Sequence, residues 1–133
     1  MIRPCFLVVD REFSANISTR KLIIETAKFN VITAYSGAEA LETVQRFPAI
    51  DGVVLDIGLR DMSACDVVHQ IKQRHPRLPI IVICLPGSEE CPEADHHLEF
   101  FDPASLLELL QNLRPKETEE IQVRNQKLIE EEN

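Results

Sequence analysis

Three acidic residues and one cysteine stand where apolar segments end, a place where side chains can meet and do chemistry. They are Asp10, Asp56, Cys84 and Asp102. If the apolar segments are parallel strands, their carboxyl ends lie at one edge of a sheet, so these four side chains should converge. Clustered carboxylates could weakly bind a divalent cation, which prefers oxygen ligands. No nucleophile-and-base pair, glycine-rich phosphate loop or zinc motif accompanies them, and this argues against a small enzyme.

The segments that would position these residues alternate between strand and helix signals. Five apolar segments are predicted strands: residues 5–9, 31–34, 52–55, 80–84 and 98–101. Four helices are predicted from their capping residues: Ser14 to about Lys28, Ser36 to near Pro48, one capped by Ser63, and one starting at Asp102-Pro103. The polar residues 88–97 leave room for one short helix at most. The alternation predicts an α/β domain with a five-stranded, parallel, doubly wound sheet and a shortened fourth helix.

The chain divides into a predicted domain, residues 1–114, and a charged tail, residues 115–133. The tail carries six acidic and three basic residues and is rich in helix formers. Ile121, Asn125 and Leu128 follow one another at the spacing of a coiled-coil seam, which would offer a surface for a homodimer. The pattern covers only about two heptads, so a solvated charged helix fits the tail equally well.

The composition is that of an acidic globular protein. The 133 residues are 44% hydrophobic and 27% charged, with a formal net charge of −8. Proteins that bind nucleic acid directly normally carry the opposite charge, so we do not expect such a partner. No apolar run approaches the roughly 20 residues of a membrane helix, and no secretory signal pattern is visible. We therefore expect a cytoplasmic chain whose four cysteines, none in a CxxC pair, are reduced.

Two further groups of residues invite a chemical interpretation that their context does not favour. The segment 91–97 contains four metal-ligating types, Cys91, Asp95, His96 and His97, but their spacing fits no closed zinc pattern. Cys84 lies in an apolar segment with no basic neighbour in sequence to activate its thiol. We expect a polar loop in the first case and a packed strand residue in the second.

Five segments together resemble the motif blocks of the response-regulator receiver domain. They occur in the family's order at residues 6–12, 33–41, 54–59, 79–83 and 101–103. The resemblance covers about residues 4–114 and implies a flavodoxin-like fold. It implies that Asp56 occupies the position of the aspartate that accepts a phosphoryl group. It also implies that Asp10, Asp56 and the carbonyl group of Gly58 are Mg²⁺ ligands, the ion neutralising charge on the transferring group.

Four positions near Asp56 depart from the family's pattern. Arg11 stands where the family has a second metal-binding acid, and Cys84 replaces a hydroxyl residue. A thiol is a weaker hydrogen-bond donor than a hydroxyl. Asp102 replaces a lysine and so puts an anion where the family has a cation, and Glu99 aligns with the aromatic switch residue.

These departures favour a degenerate receiver, or pseudo-receiver, in which phosphorylation and surface change are weakly coupled. We expect Arg11 to pair with Asp56 and to hold one conformation, leaving Mg²⁺ binding weak or absent. The implied function is a non-enzymatic module of a two-component phosphorelay, with a histidine kinase or an output domain as protein partner. The alternative is a protein-interaction scaffold that works without phosphorylation.

Overall fold

The computed structural model describes residues 3–10, 19–88, 90–99 and 103–113. The elements in chain order are β1 (Cys5–Val9), α1 (Thr19–Thr26), β2 (Asn30–Ala34), α2 (Gly37–Arg46), β3 (Gly52–Asp56), α3 (Ala64–Arg74), β4 (Ile80–Cys84), β5 (His96–Glu99) and α4 (Pro103–Leu113). Arg11, Asp102 and the tail 115–133 lie outside the described residues. What was predicted for them, including the coiled-coil seam, stays a prediction.

All five strands pair in parallel, in the order β2-β1-β3-β4-β5. This confirms the predicted doubly wound, flavodoxin-like sheet. The strand order changes direction between β1 and β3, which is where ligands bind in sheets of this type. Val9 at the end of β1 pairs with Leu55 of β3. Asp10 and Asp56, the residues that follow, therefore lie side by side at the carboxyl edge of the sheet.

The central strands β1, β3 and β4 are buried on both faces because they are apolar at consecutive positions. Successive side chains of a strand point to opposite faces. Leu7 and Val9 pack on one face with α2 and α3. Phe6 and Val8 pack on the other face with α1 and α4, where Phe6 meets Phe29 edge to face with ring centroids 5.4 Å apart. The two apolar layers fix each helix over the sheet.

Serine residues start two of the helices, as predicted. Ser36 Oγ accepts a hydrogen bond from the N–H of Glu39 at 3.1 Å, and Glu39 Oε2 accepts one from the N–H of Tyr35 at 3.2 Å. Ser63 Oγ accepts a hydrogen bond from the N–H of Asp66 at 3.1 Å. The two bonds to the serine hydroxyls satisfy N–H groups that the first turn of a helix leaves without a backbone partner, and the bond to Glu39 engages the N–H of the residue before the cap.

The region between β4 and β5 differs from the prediction. The described residues there, 85–88 and 90–95, form turns, so the expected short fourth helix is wrong for them. Gly87 has φ 78°, a left-handed backbone conformation that glycine adopts without steric cost, and it lies in the turn that follows β4. β5 begins at His96, two residues before the predicted start, because Ile81 pairs with His96. The helix predicted to start at Asp102-Pro103 is therefore α4.

Within the described ranges, no helix is both long and apolar enough to cross a membrane.

Candidate functional site

Asp10 and Asp56, here called the acid pair, form the centre of the site. Asp10 follows β1 and is 8% exposed. Asp56 is the last residue of β3, and its side chain is largely buried. The sheet register brings these two predicted site residues together, because β1 and β3 are hydrogen-bonded neighbours. Two carboxylates this close and this shielded from water need a positive charge beside them.

Arg20, in the first described turn of α1, supplies that charge. Its Nη1 atom lies 2.8 Å from Asp56 Oδ2 and 3.5 Å from Asp10 Oδ1. The side chains are largely buried, with exposed fractions of 14% for Arg20, 11% for Asp10 and 13% for Asp56. One guanidinium nitrogen therefore contacts both acids in a setting where solvent screens charges weakly.

Gly58 holds the second oxygen of Asp56. Its N–H donates a hydrogen bond to Asp56 Oδ1 at 2.6 Å. Beyond it, the N–H of Ile57 donates to the carbonyl oxygen of Ile83 at 3.1 Å, which continues the β3–β4 pairing past Asp56. Both Asp56 oxygens are thus engaged, one by Gly58 and the other by Arg20.

Asp61 anchors the segment that leads from Asp56 to α3. Its carboxylate accepts hydrogen bonds from the N–H groups of Gly37 at 2.8 Å and Ala38 at 3.0 Å, at the start of α2. These hydrogen bonds hold the pKa of the Asp61 carboxyl below its usual value. The segment after Asp56 is therefore tied to a second helix.

Cys84 lies on the neighbouring strand β4, one position beyond the residue that pairs with Asp56. Its side chain is buried, and its thiol makes a long contact of 3.8 Å with the carbonyl oxygen of Val82. Burial raises the pKa of the Cys84 thiol; the acids Glu90, Glu99 and Asp56 raise it further, while a hydrogen bond with Ser88 opposes them. Cys84 is therefore a neutral thiol at physiological pH, as expected of a strand residue that is not an activated nucleophile.

The other predicted site positions are placed as follows. Glu99 ends β5, pairs with Cys84 and is exposed. Arg11 and Asp102 lie outside the described residues, so the predicted Arg11–Asp56 pair stays a prediction. The described cation on Asp56 is Arg20, which the sequence reasoning missed. The available signal was topological: a helix that follows a parallel strand starts above the carboxyl edge, so basic residues in its first turns can reach that edge.

The acid pair and the Gly58 carbonyl are oxygen donors of the kind that Mg²⁺ prefers. In this conformation they do not fit the ion, because Arg20 Nη1 already contacts both carboxylates. Among the described residues, no group of three or more His, Cys, Asp or Glu side chains is arranged to hold a metal. A divalent cation at the acid pair would have to displace the guanidinium.

A disulfide joins Cys65 of α3 to Cys91, which follows β4. The expectation that all four cysteines are reduced is therefore wrong for this pair, while Cys5 and Cys84 are free. The bonded cysteines are separated by 26 positions, and their Cα atoms lie 5.0 Å apart because α3 packs against the segment after β4. Such proximity is a tertiary property that the spacing of cysteines in a sequence does not reveal.

Two side-chain contacts also join the same segment, residues 91–95, to α3. Glu93 Oε1 lies 2.6 Å from His69 Nδ1, and Asp95 Oδ2 lies 2.7 Å from Lys72 Nζ. The α3 residues of the three cross-links recur at 4- and 3-residue spacing and so share one face of the helix: Cys65, His69 and Lys72. Residues 91–95, here called the cross-linked segment, are thus held to α3 at three points.

Residues that looked like metal ligands therefore have structural partners. Asp95 Oδ2 also accepts a hydrogen bond from the N–H of Ile80 at 2.7 Å, and His97 Nε2 accepts one from the N–H of Cys91 at 3.1 Å. Burial raises the pKa of the Asp95 carboxyl, but the hydrogen bonds from Lys72 and Ile80 outweigh it, so that this pKa lies below its usual value.

The lowered pKa of Asp95 predicts a loss of stability in acid. A carboxyl whose pKa is lower in the folded state stabilises the fold above its unfolded-state pKa, and this stabilisation is lost as pH falls through the folded pKa. The Asp95→Asn variant should be less stable than the wild type at neutral pH, with the difference shrinking below about pH 4. Urea unfolding across this pH range measures it, with Asp66→Asn as a control at an exposed carboxyl of α3. A difference that stays constant with pH would contradict the assignment.

Comparison with known proteins places these features in a family. The family model described as the response regulator receiver domain matches residues 6–100. The probable transcriptional regulatory protein TcrX of Mycobacterium tuberculosis is 38% identical over 55 residues, which are 41% of this chain and 23% of TcrX. The luminescence regulatory protein LuxO of Vibrio campbellii is 39% identical over 64 residues, 47% of this chain and 14% of LuxO.

The transcriptional regulatory protein CpxR of Escherichia coli K12 is 32% identical over 80 residues, 60% of this chain and 32% of CpxR. The chain thus matches at most about a third of the length of these relatives.

Solved structures show the same fold. A response regulator receiver domain protein from Clostridium thermocellum superposes with a TM-score of 0.76 at 22% identity, covering 95% of this chain and 98% of that one. The chemotaxis protein CheY4 of Vibrio cholerae gives a TM-score of 0.69 at 24% identity, covering 84% of this chain and 99% of that one. Since the family model matches from β1 to the end of β5 and the sheet has the fold of these neighbours, the chain belongs to the response-regulator receiver domain family.

Proposed function

We propose that this chain is a receiver-type signalling module of a two-component phosphorelay, with Asp56 at the phosphoacceptor position and with a degenerate switch. The observation that carries the proposal is the contact of Arg20 Nη1 with both members of the acid pair. An internal guanidinium takes the place of an exchangeable cation between the two carboxylates. We assign to Arg20 the role first expected of Arg11, which is to pair with Asp56 and hold one conformation.

Weak Mg²⁺ binding follows from this arrangement. The ion would have to separate Arg20 from Asp56 across a charge-assisted contact of 2.8 Å. Such contacts are about twice as strong as hydrogen bonds between neutral groups. Mg²⁺ would also have to give up several of its own water ligands, which it does reluctantly. We therefore expect this chain to bind a divalent ion more weakly than Asp10, Asp56 and the Gly58 carbonyl would in the absence of Arg20.

The surroundings of Asp56 also favour weak switching. Cys84 offers a buried, neutral thiol, and thiols are weak hydrogen-bond donors. Glu99, paired with Cys84, adds a carboxylate at the end of β5. Apart from Arg20, which already contacts the acid pair, these neighbours offer a phosphoryl group on Asp56 no charged donor, so its coupling free energy to surface change would be small.

The partners that suit such a module are proteins. We propose a histidine kinase or an output domain as partner, no direct contact with nucleic acid, no catalytic turnover and a cytoplasmic location. An acidic chain with a net charge of −8 supports contact with proteins over contact with a phosphate backbone.

Acetyl phosphate labelling tests the proposal. The chain is incubated with acetyl phosphate and Mg²⁺, and intact mass spectrometry reports the fraction that gains one phosphoryl group. We expect at most a minor adduct in the wild type, because Arg20 and Gly58 contact the two Asp56 oxygens. We expect no adduct in Asp56→Asn, because the acceptor carboxylate is gone. Complete modification of the wild type that disappears in Asp56→Asn would overturn the degenerate switch.

A further inference from the structure

The Cys65–Cys91 disulfide connects the two segments that border the acid pair. Cys65 lies in the first turn of α3, at the end of the segment that starts with Asp56 and Gly58. Cys91 lies seven positions after Cys84, on the segment that leaves β4 beside the acid pair. The bond therefore links the segment that follows β3 to the segment that follows β4.

Its two cysteine residues differ in exposure. Cys91 is 1% exposed and belongs to the apolar cluster of the α2–α3 face, whereas Cys65 is half-buried at the rim of that cluster. Cys65 is therefore the more accessible cysteine for a reductant, and the sulfur of Cys91 would be the leaving group. Which sulfur is attacked and how accessible it is decide the rate of thiol–disulfide exchange.

The other contacts of the cross-linked segment are weaker than a covalent bond. The His69–Glu93 pair is solvent-exposed on both sides, and pairs of this kind contribute little. Lys72 holds Asp95 more firmly, since its side chain is only 12% exposed. Without the disulfide, residues 91–94 would depend on the His69–Glu93 pair and on hydrogen bonds such as those from Cys91 N–H to His97 Nε2 and from Ala94 N–H to the Cys91 carbonyl.

We infer that the Cys65–Cys91 disulfide is a redox-responsive clamp that fixes the two segments bordering the acid pair, and that a dithiol reductant releases them. A thiolate of the reductant attacks Cys65 Sγ, the Cys65–Cys91 bond breaks, and the Cys91 thiolate takes up a proton. The second thiol of the reductant then attacks its own partner sulfur in the mixed disulfide. Cys65 leaves as a thiol, and the reductant becomes a disulfide. In a reducing compartment, a protein disulfide is usually transient and redox-sensing, which is the role inferred for this bond.

The inference does not depend on the proposed function, because its readouts are thiol number and segment motion. First, the air-oxidised full chain is denatured without reductant and alkylated. We expect two modified cysteines, Cys5 and Cys84, and four after treatment with dithiothreitol. Four modified cysteines without reductant would overturn the inference.

Second, hydrogen exchange is compared between the oxidised and reduced full chain. We expect roughly ten-fold faster exchange after reduction in peptides from 57–66 and 85–95, and unchanged exchange in α1 and α4. The double variant Cys65→Ser/Cys91→Ser should exchange like the reduced wild type without any reductant, while Cys5→Ser should respond to reduction like the wild type. Equal exchange in both states, or faster exchange throughout the chain, would overturn the local clamp.

Discussion

Replacing Arg20 by methionine should destabilise the domain by about 3 kcal/mol and give the acid pair a measurable affinity for Mg²⁺. The variant leaves two largely buried carboxylates without the guanidinium nitrogen that contacts both of them. Breaking a buried ion pair by removing one partner is costly because the remaining charge stays shielded from water. Thermal and urea unfolding measure the loss, and isothermal titration measures Mg²⁺ binding.

Mg²⁺ should restore the stability of the Arg20→Met variant and leave that of the wild type nearly unchanged. A ligand at a hundred times its Kd stabilises a folded protein by about 2.7 kcal/mol, which is close to the expected loss. Lys21→Met is the matched control, because Lys21 is the adjacent basic residue on α1 and forms an exposed pair with Glu25 at 3.8 Å. It should change stability by less than about 1 kcal/mol. Equal Mg²⁺ affinity in the wild type and in Arg20→Met would contradict the assignment of Arg20.

The second large effect is expected at Ile24, which anchors the helix that carries Arg20. Ile24 is fully buried between α1 and the sheet and lies four residues after Arg20, on the same face of α1. Ile24→Ala should cost about 2 to 5 kcal/mol, because it removes buried methylene groups and leaves a cavity. The variant should also gain affinity for Mg²⁺, since a loosened α1 holds its guanidinium less firmly over the acid pair.

Ile71→Ala separates the two effects. Ile71 is 2% exposed and belongs to α3 on the opposite face of the sheet. The substitution removes the same atoms, so the loss of stability should be similar. Its Mg²⁺ affinity should stay at the wild-type level, as measured by the same titration. If both variants gain Mg²⁺ affinity equally, general destabilisation and not the position of α1 would explain the gain.

The sheet could be predicted from the sequence because its central strands are apolar at consecutive positions. The strands Cys5–Val9 and Ile80–Cys84 have the predicted bounds. Each is a continuous apolar run, as is typical of a strand buried on both faces. β5 was placed two residues too late. It lies at an edge, begins with two histidines, and takes its register from contacts such as Asp95 N–H to the Ile80 carbonyl. Those contacts are tertiary, so the apolar pattern around Leu98 marked only part of the strand.

The site divides in the same way. Asp10 and Asp56 could be placed together because adjacent parallel strands end at one edge. Arg20 could not be assigned to the site from the sequence, because a basic residue on a short helix normally faces solvent. Its contacts with the acid pair depend on how α1 packs on the sheet. The disulfide could not be predicted for a related reason. The described residues between β4 and β5 form turns, and Cys91 reaches Cys65 because this segment runs along α3. Local patterns determine elements, whereas these contacts depend on how elements pack.

The guanidinium between Asp10 and Asp56 differs from a dissolved ion in one further respect. The occupancy of a metal site follows mass action, so it rises and falls with the concentration of free ion in the cell. Arg20 is attached to the chain, and its local concentration at the carboxylates is fixed by the position of α1. A site neutralised in this way keeps its charge balance through any change in free magnesium. The charge balance of the acid pair would therefore not depend on the concentration of free divalent cation around the protein.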